Sequence, residues 1–292
     1  MDFLSDLFES LADWIKQGLI DGIMGQFSGV YDSINAQVGS IAANVGQTPQ
    51  GWNSGVFSMI RTLSDTAIIP IAGMILTFVV CYELIQLIIE KNNMHEFDVM
   101  NLYKWIIKTF VAVYILTNTF NIVMGVFGLA QTVVNRSAGI ITGSIEVNGA
   151  AALAHLATLL PGMSVWELLG LWLETNVLSL CITAITICVF LIIYGRMIEI
   201  YLTVSVAPIP LATMANREWG QMGNNYLKSL FALAFQGFLI MVCVAIYAVL
   251  IQNIPLADSI HAAIWGTAGY TALLCFALFK TGSLAKAVFQ AH

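Results

Sequence analysis

Five long apolar stretches constrain what this chain can fold into. They span residues 70–89, 105–134, 176–194, 229–251 and 262–279. Each reaches about 18 residues or more with few charges, the length at which a helix can cross a lipid bilayer. The second stretch is longer than a crossing requires, so we expect it to tilt or to protrude from the membrane.

The composition agrees with a membrane environment. Hydrophobic residues make up 59% of the 292 positions and charged residues only 10%, whereas soluble domains contain about 25% charged residues. A soluble core cannot absorb this apolar excess, so we predict an all-α, polytopic integral membrane protein with about five transmembrane helices. The net charge of −6 argues against nucleic acid as an electrostatic partner.

The first 64 residues have a different pattern. Between residues 1 and 25, apolar side chains recur at helical spacing opposite an acidic face, which predicts an amphipathic helix rather than a span. Residues 25–64 are rich in Gly, Ser and Asn and are predicted to form one or two weak helices and a loop. We therefore divide the chain into an external region, 1–64, and a transmembrane domain, 65–292.

The segment 195–220 ends an apolar run with two prolines, Pro208 and Pro210. Proline lacks the amide hydrogen and disfavours helical geometry in the residue before it. We therefore predict a non-helical break over 207–214, covered by protein because lipid does not tolerate broken backbone. Four charged residues flank the prolines: Arg196 and Glu199 before them, and Arg217 and Glu218 after them.

The eleven basic residues predict an orientation, because cytoplasmic loops are enriched in Lys and Arg. If 197–214 enters the membrane and returns on the same side, eight of the eleven lie in the cytoplasm, with Lys16, Arg61 and Arg136 outside. If this segment crosses fully, four basic residues after it lie outside instead. The first arrangement predicts an external N-terminus and a cytoplasmic C-terminus; a proline-kinked full span stays open as the alternative.

Polar residues inside the apolar stretches are candidate structural or channel residues. Glu83 shares a helical face with Gln86 and Glu90. An intramembrane carboxylate is costly and normally faces a partner or a cavity. Glu83 is therefore either a pore-lining or proton-linked acid, or a structural partner of Lys108 or Arg196.

Two further patterns have structural and functional alternatives. Asn118, Asn121, Gly125 and Gly128 lie on one stripe of the second stretch, which favours helix packing over a pore lining. Arg196 and Glu199 are three residues apart and therefore neighbours on a helix. They form either a local surface pair or an anchor for the proline segment.

The chain lacks a pattern for catalysis or metal binding. The four histidines have no second ligand at metal spacing, and the five cysteines lie inside apolar stretches, where they act as small apolar residues. No Gly-rich phosphate loop with lysine, GxSxG or HExxH motif occurs. We therefore predict that the protein is not an enzyme and needs no cofactor.

Several motifs resemble the TrbL-type polytopic subunit of conjugative type IV secretion systems, in its Gram-positive conjugative-element form. The most specific is YGRMIEIYLTVSVAPIPLATMANREWGQMGNNYLKSLFALAFQ at 194–236, followed by the closing LFKTGSLAKAVF. The others are GQTPQGWNSGVFSMIR, ELIQLIIEKNN and NTFNIVMGVF. The resemblance covers nearly the whole chain, but residues 140–175 carry little of it.

The resemblance implies a homo-oligomeric channel or scaffold subunit in the bacterial inner membrane, through which DNA–protein or protein substrates pass. Its expected partners are membrane lipid, other secretion subunits including a separate ATPase, and transiently the transferred substrate. A small-solute secondary transporter is the alternative, because broken helices with nearby charges are typical of carriers.

Overall fold

The computed structural model describes residues 2–89, 99–142, 149–252, 254 and 260–291, and within these ranges it contains helices and turns but no strand. The predicted all-α fold class is confirmed. The α-helices of this part of the chain are α1 (Asp2–Val45), α2 (Pro49–Trp52), α3 (Ser54–Leu63), α4 (Ile69–Ile89), α5 (Val99–Thr117), α6 (Thr119–Thr142), α7 (Ala150–Leu159), α8 (Val165–Ser205), α9 (Pro208–Thr213), α10 (Gly220–Gln252) and α11 (Ile260–Phe289).

Five of these helical segments are long and apolar enough to cross a membrane, as predicted. A π-helical segment, Ser64–Ile68, joins α3 to α4, so the first candidate span is continuous. The five candidate spans are Ser54–Ile89, Val99–Thr117, Val165–Ser205, Gly220–Gln252 and Ile260–Phe289.

The second apolar stretch is two helices rather than one. The helices α5 and α6 meet at Asn118, which adopts a turn. Asn118 Nδ2 donates a hydrogen bond to the Tyr114 carbonyl (3.0 Å), and the Thr117 hydroxyl donates to the Val113 carbonyl (3.0 Å). Such side-chain bonds to the preceding turn compete with the helical ladder and bend it. The prediction of one continuous helix over 105–134 is therefore wrong.

The third span continues beyond its predicted end at residue 194. Helix α8 has 41 residues, which corresponds to about 60 Å, twice the roughly 30 Å thickness of the hydrocarbon core. Ser164 and Glu167 start it with a capping box, in which the Ser164 amide and hydroxyl donate to Glu167 Oε2 at 2.8 and 2.9 Å. No proline interrupts the helix before Pro208, so Arg196 lies inside it rather than at the start of a separate element.

The N-terminal helix is longer than predicted. Helix α1 continues to Val45, whereas the sequence predicts loop and weak helix from residue 25 onward. Its buried apolar side chains recur every three or four residues, which is the pattern of a helix packed along its length. They are Ile23, Phe27, Val30, Ile34, Val38, Ile41 and Val45.

The chain forms two compact units. The first consists of Met1–Val45, Ser137–Ile193 and Ile240–Phe279. Within it α1 packs against α7, the Gln37 amide bonds to the Thr186 hydroxyl, and His261 Nδ1 lies 2.6 Å from Glu174 Oε2.

The second unit consists of Gly46–Arg136, Tyr194–Leu239 and Lys280–His292. Within it α9 packs against both α4 and α5. The predicted division at residue 64 stays a prediction.

Candidate functional site

The candidate site lies in the second unit, where the chain turns from α8 through α9 into α10. The Tyr226 hydroxyl, in the second turn of α10, donates to the Thr203 carbonyl near the end of α8 (3.1 Å). The chain therefore returns beside α8. The six residues of α9 extend about 9 Å, so α9 alone is too short to cross a membrane. The segment 197–214 contains the end of α8, a turn and α9. The return of this segment to the same side of the membrane, rather than a proline-kinked full span, stays a prediction.

The two prolines start a helix instead of preventing one. Pro208 and Pro210 lie in the first turn of α9, and Ala207 before them is in the right-handed helical region (φ −50°, ψ −38°). Proline is tolerated in a first turn because the amide hydrogen it lacks has no intrahelical acceptor there. The prediction of a non-helical break over 207–214 is therefore wrong. Val206 and Ala207 form a turn between α8 and α9, and within 207–214 the only other residue outside a helix is Met214, which follows α9.

Asn216 shapes the turn between α9 and α10. Its buried side-chain oxygen accepts hydrogen bonds from the backbone amides of Glu218 (2.7 Å) and Trp219 (3.3 Å). An asparagine that bonds to amides two and three residues later is a common way to fix a turn. It directs the charged residues Arg217 and Glu218 outward, and both are exposed.

Helix α4 holds this turn through hydrogen bonds and aromatic stacking. Gln86 Nε2 donates to Glu218 Oε1 (3.0 Å), and the Tyr82 hydroxyl donates to Glu218 Oε2 (3.4 Å). The Trp219 ring stacks on the rings of Tyr82 and Phe78, with centroids 5.7 and 5.4 Å away. The two ring contacts and two hydrogen bonds fix the position of the turn against the end of a candidate span.

A polar cavity of about 460 Å³ lies between this turn, α4 and α5. It is defined by Glu83, Gln86 and Leu87 of α4, Asn101, Lys104, Trp105 and Lys108 of α5, and Arg217 and Glu218 of the turn. We call this the polar cavity. Four of the candidate residues singled out in the sequence, Glu83, Lys108, Arg217 and Glu218, meet here. Glu90 lies outside the described residues.

Glu83 and Lys108 form an ion pair in the wall of the polar cavity, with Lys108 Nζ on Glu83 Oε1. Of the two partners considered for Glu83, Lys108 is therefore the one in contact. The other carboxylate oxygen, Oε2, is buried and has no hydrogen-bond partner among the described residues. The pair joins α4 to α5 where both helices border the polar cavity.

Arg196 and Glu199 do not form the local surface pair that their spacing allows. The Arg196 side chain is buried, and its Nε has no hydrogen-bond partner within the described chain. Glu199 lies 3.5 Å from Lys286 Nζ of α11 instead. The sequence could not indicate this partner, because no local sequence pattern connects Glu199 with Lys286, 87 positions later.

The Asn–Gly stripe of the second stretch has no partner within the described chain. Asn118 bonds to its own preceding turn, and Asn121 is exposed. A Cβ atom built at Gly125 or Gly128 meets nothing within 4 Å among the described residues. The packing predicted for this face is therefore not made by another helix of the described chain.

The helices and the polar cavity define the class of protein to which this chain belongs. A chain with five helices able to span, no strand among its described residues and a helical hairpin beside a polar cavity is a polytopic α-helical membrane protein. The chain belongs to the TrbL/VirB6 family: the family described as "TrbL/VirB6 plasmid conjugal transfer like protein" matches residues 34–208, more than half of its length. No curated protein and no solved structure matches it.

The family match confirms the resemblance to a TrbL-type conjugative subunit. The family consists of conjugal-transfer components and is not a known class of enzymes. The match ends at Pro208, so the turn with Arg217 and Glu218 lies beyond the matched residues.

Proposed function

We propose that this protein is a channel or scaffold subunit in the inner membrane of a conjugative type IV secretion system, helping to move DNA–protein or protein substrates. The observation that carries the proposal is the family match over residues 34–208, in a chain with five helices able to span. Other secretion subunits, including a separate ATPase, are its proposed partners, since the sequence has no nucleotide-binding loop.

Self-association is part of the proposal, and the exposed surface of the second unit supports it. Helix α5 exposes large apolar side chains, among them Tyr103, Ile107, Phe110 and Tyr114. On the following helix, α6, a Cβ atom at Gly125 or Gly128 meets nothing within 4 Å among the described residues. Small residues let helix backbones approach closely inside a bilayer, so α6 can receive a helix of a second copy.

We further propose an external N-terminus and a cytoplasmic C-terminus. The eight-to-three distribution of basic residues supports this orientation. The return of the chain at Thr203 and Tyr226 is compatible with it, because α8 and α10 then meet the same membrane surface. Arg217 and the polar cavity would face the cytoplasm.

The experiment is complementation of a donor strain that lacks this gene. A tagged copy should restore conjugation, and it should co-purify with an untagged copy and with the secretion ATPase. Restored solute uptake without restored conjugation would instead identify a transporter.

A pair of variants tests self-association separately. Replacing Gly125 and Gly128 with leucine should abolish co-purification of the two copies, because the added side chains fill the open face. Gly73→Leu on α4, where a Cβ also meets nothing within 4 Å, is the matched control and should preserve co-purification. If all variants self-associate as the unmodified chain does, α6 is not the interface.

A further inference from the structure

The polar cavity differs in charge from the chain that surrounds it. Three cationic side chains, Lys104, Lys108 and Arg217, and two carboxylates, Glu83 and Glu218, line it. The whole chain has a net charge of −6. The polar cavity is therefore a basic site on an acidic protein, and such a site concentrates anions.

Two of the three cationic side chains that line the polar cavity remain available to bind an anion. Lys108 contacts Glu83, and both oxygens of Glu218 accept hydrogen bonds from the neutral side chains of Gln86 and Tyr82. Neither Lys104 nor Arg217 forms an ion pair with a carboxylate of the described residues. Both are exposed and come from different elements, α5 and the turn before α10. The Arg217 guanidinium and the Lys104 ammonium border the same cavity from two sides. Together they can donate hydrogen bonds to different oxygens of one phosphate group.

The position of the polar cavity favours a lipid as the source of that phosphate. It lies at the last turns of α4 and the first turns of α5, two helices able to span a membrane. Large apolar side chains beside it are exposed, including Ile85 and Ile89 on α4 and Ile107 and Phe110 on α5. Trp105 lines the polar cavity, and tryptophan is enriched at the membrane surface.

We propose that the polar cavity binds the headgroup phosphate of an anionic phospholipid. Lys104 and Arg217 contact the phosphate, and the acyl chains lie against the apolar faces of α4 and α5. Basic pockets between transmembrane helices are a recurring form of headgroup recognition, and about 460 Å³ is within the usual range for small-molecule sites. The proposal requires only that the chain is inserted in a membrane, so it stands independently of the conduit or scaffold role.

The test measures lipid binding to the purified full chain in detergent micelles by native mass spectrometry. Phosphatidylglycerol, which is anionic, is compared with zwitterionic phosphatidylcholine. The unmodified chain should bind phosphatidylglycerol at least about tenfold more tightly, because both lipids carry the phosphate but only phosphatidylcholine places a cationic choline beside Lys104 and Arg217. The double variant Lys104→Gln, Arg217→Gln should lose this preference.

The matched control is Arg136→Gln with Lys280→Gln. It removes the same charge from exposed positions outside the polar cavity and should keep the preference. Equal affinity for both lipids in the unmodified chain, or a preference retained in the double variant, would overturn the proposal.

Two further measurements distinguish lipid binding from binding of a free anion and from loss of folding. Inorganic phosphate should not displace bound phosphatidylglycerol, and full displacement at equal concentration would identify a site for free anions instead. If the double variant unfolds in phosphatidylcholine micelles, the single variants Lys104→Gln and Arg217→Gln replace it. A folded single variant with a weakened preference supports the site, and full preference in both single variants argues against it.

Discussion

Gly223, in the first turn of α10, lies close to α9. A Cβ atom at this position would lie 2.6 Å from the Pro210 carbonyl oxygen and would overlap the Met214 side chain. The carbonyl belongs to α9 and cannot yield without moving that helix. We expect Gly223→Ala to destabilise the protein by about 1–3 kcal/mol, although alanine favours helix more than glycine does. The unfolding temperature of the purified protein in detergent measures this.

Gly220, in the first turn of the same helix, provides the control. The nearest atom to a Cβ at Gly220 is the Met214 carbonyl oxygen at 3.7 Å, an ordinary contact. Gly220→Ala should therefore be neutral or slightly stabilising. If the two alanine variants have equal unfolding temperatures, the close approach at Gly223 does not affect the free energy of unfolding.

Glu83 allows its structural and functional roles to be separated. Its Lys108 partner is 43% exposed, so after Glu83→Leu the ammonium can reach water and the cost should be about 1 kcal/mol or less. Glu83→Lys instead puts a second cation against Lys108 and should lower the amount of protein in the membrane much further. Immunoblots of membranes and conjugation frequency measure the two effects. A leucine variant with normal protein level but no transfer would identify Glu83 as a functional acid.

At the scale of elements, the two prolines decide where α8 ends. Proline at 208 cannot donate to the Val204 carbonyl, so the helical ladder stops and the chain turns. Replacing Pro208 and Pro210 with alanine restores both amides and lets α8 continue in its own direction. We expect the double variant to insert but to fail in assembly or transfer, whereas Ile209→Val should do neither.

The direct measurement is the accessibility of Gln221→Cys in a chain without native cysteines. Gln221 is exposed at the start of α10, and in the proposed orientation it should react with an impermeant maleimide from the cytoplasmic side. The two alanines should reduce this reaction. Labelling only from outside, with the prolines intact, would contradict the proposed position of the turn.

The sequence predicts the existence of the helices better than their ends. Length and apolar content fix the five spans, because no other structure satisfies so many buried backbone groups in lipid. The bend at Asn118 depends on side-chain hydrogen bonds to the preceding turn. The end of α8 at Ser205 depends on the backbone geometry of the prolines that follow it. A hydropathy profile reports neither effect. Helix α1 is longer than predicted because its buried apolar repeat outweighs the low helix propensity of its glycines.

The polar cavity was predictable only in part. Glu83, Arg217 and Glu218 were visible as charges beside apolar stretches, and Lys108 as a possible partner. The contributions of Lys104, Tyr82 and Trp219 depend on packing between residues more than 100 positions apart, such as Tyr82 and Glu218. No local pattern encodes that packing.

At the scale of the whole molecule, orientation is the first property to test. Cysteines introduced as Ser5→Cys and Gln290→Cys, in a background without native cysteines, report the two ends. In intact cells an impermeant maleimide should label position 5 and leave position 290 unlabelled, because most basic residues belong on the cytoplasmic side. The opposite labelling pattern would reverse the proposed topology.

The division into two compact units has a consequence for synthesis. Helices α6, α8, α10 and α11 contribute residues to both units. Because α11 belongs to both, neither unit is complete until α11 has left the ribosome. Translation proceeds at about 5–20 residues per second, so the nascent chain waits seconds after α10 with apolar faces that only lipid or an insertion factor can cover. Premature termination before α11 therefore leaves both units unfinished, and membrane quality-control proteases should degrade such fragments rapidly.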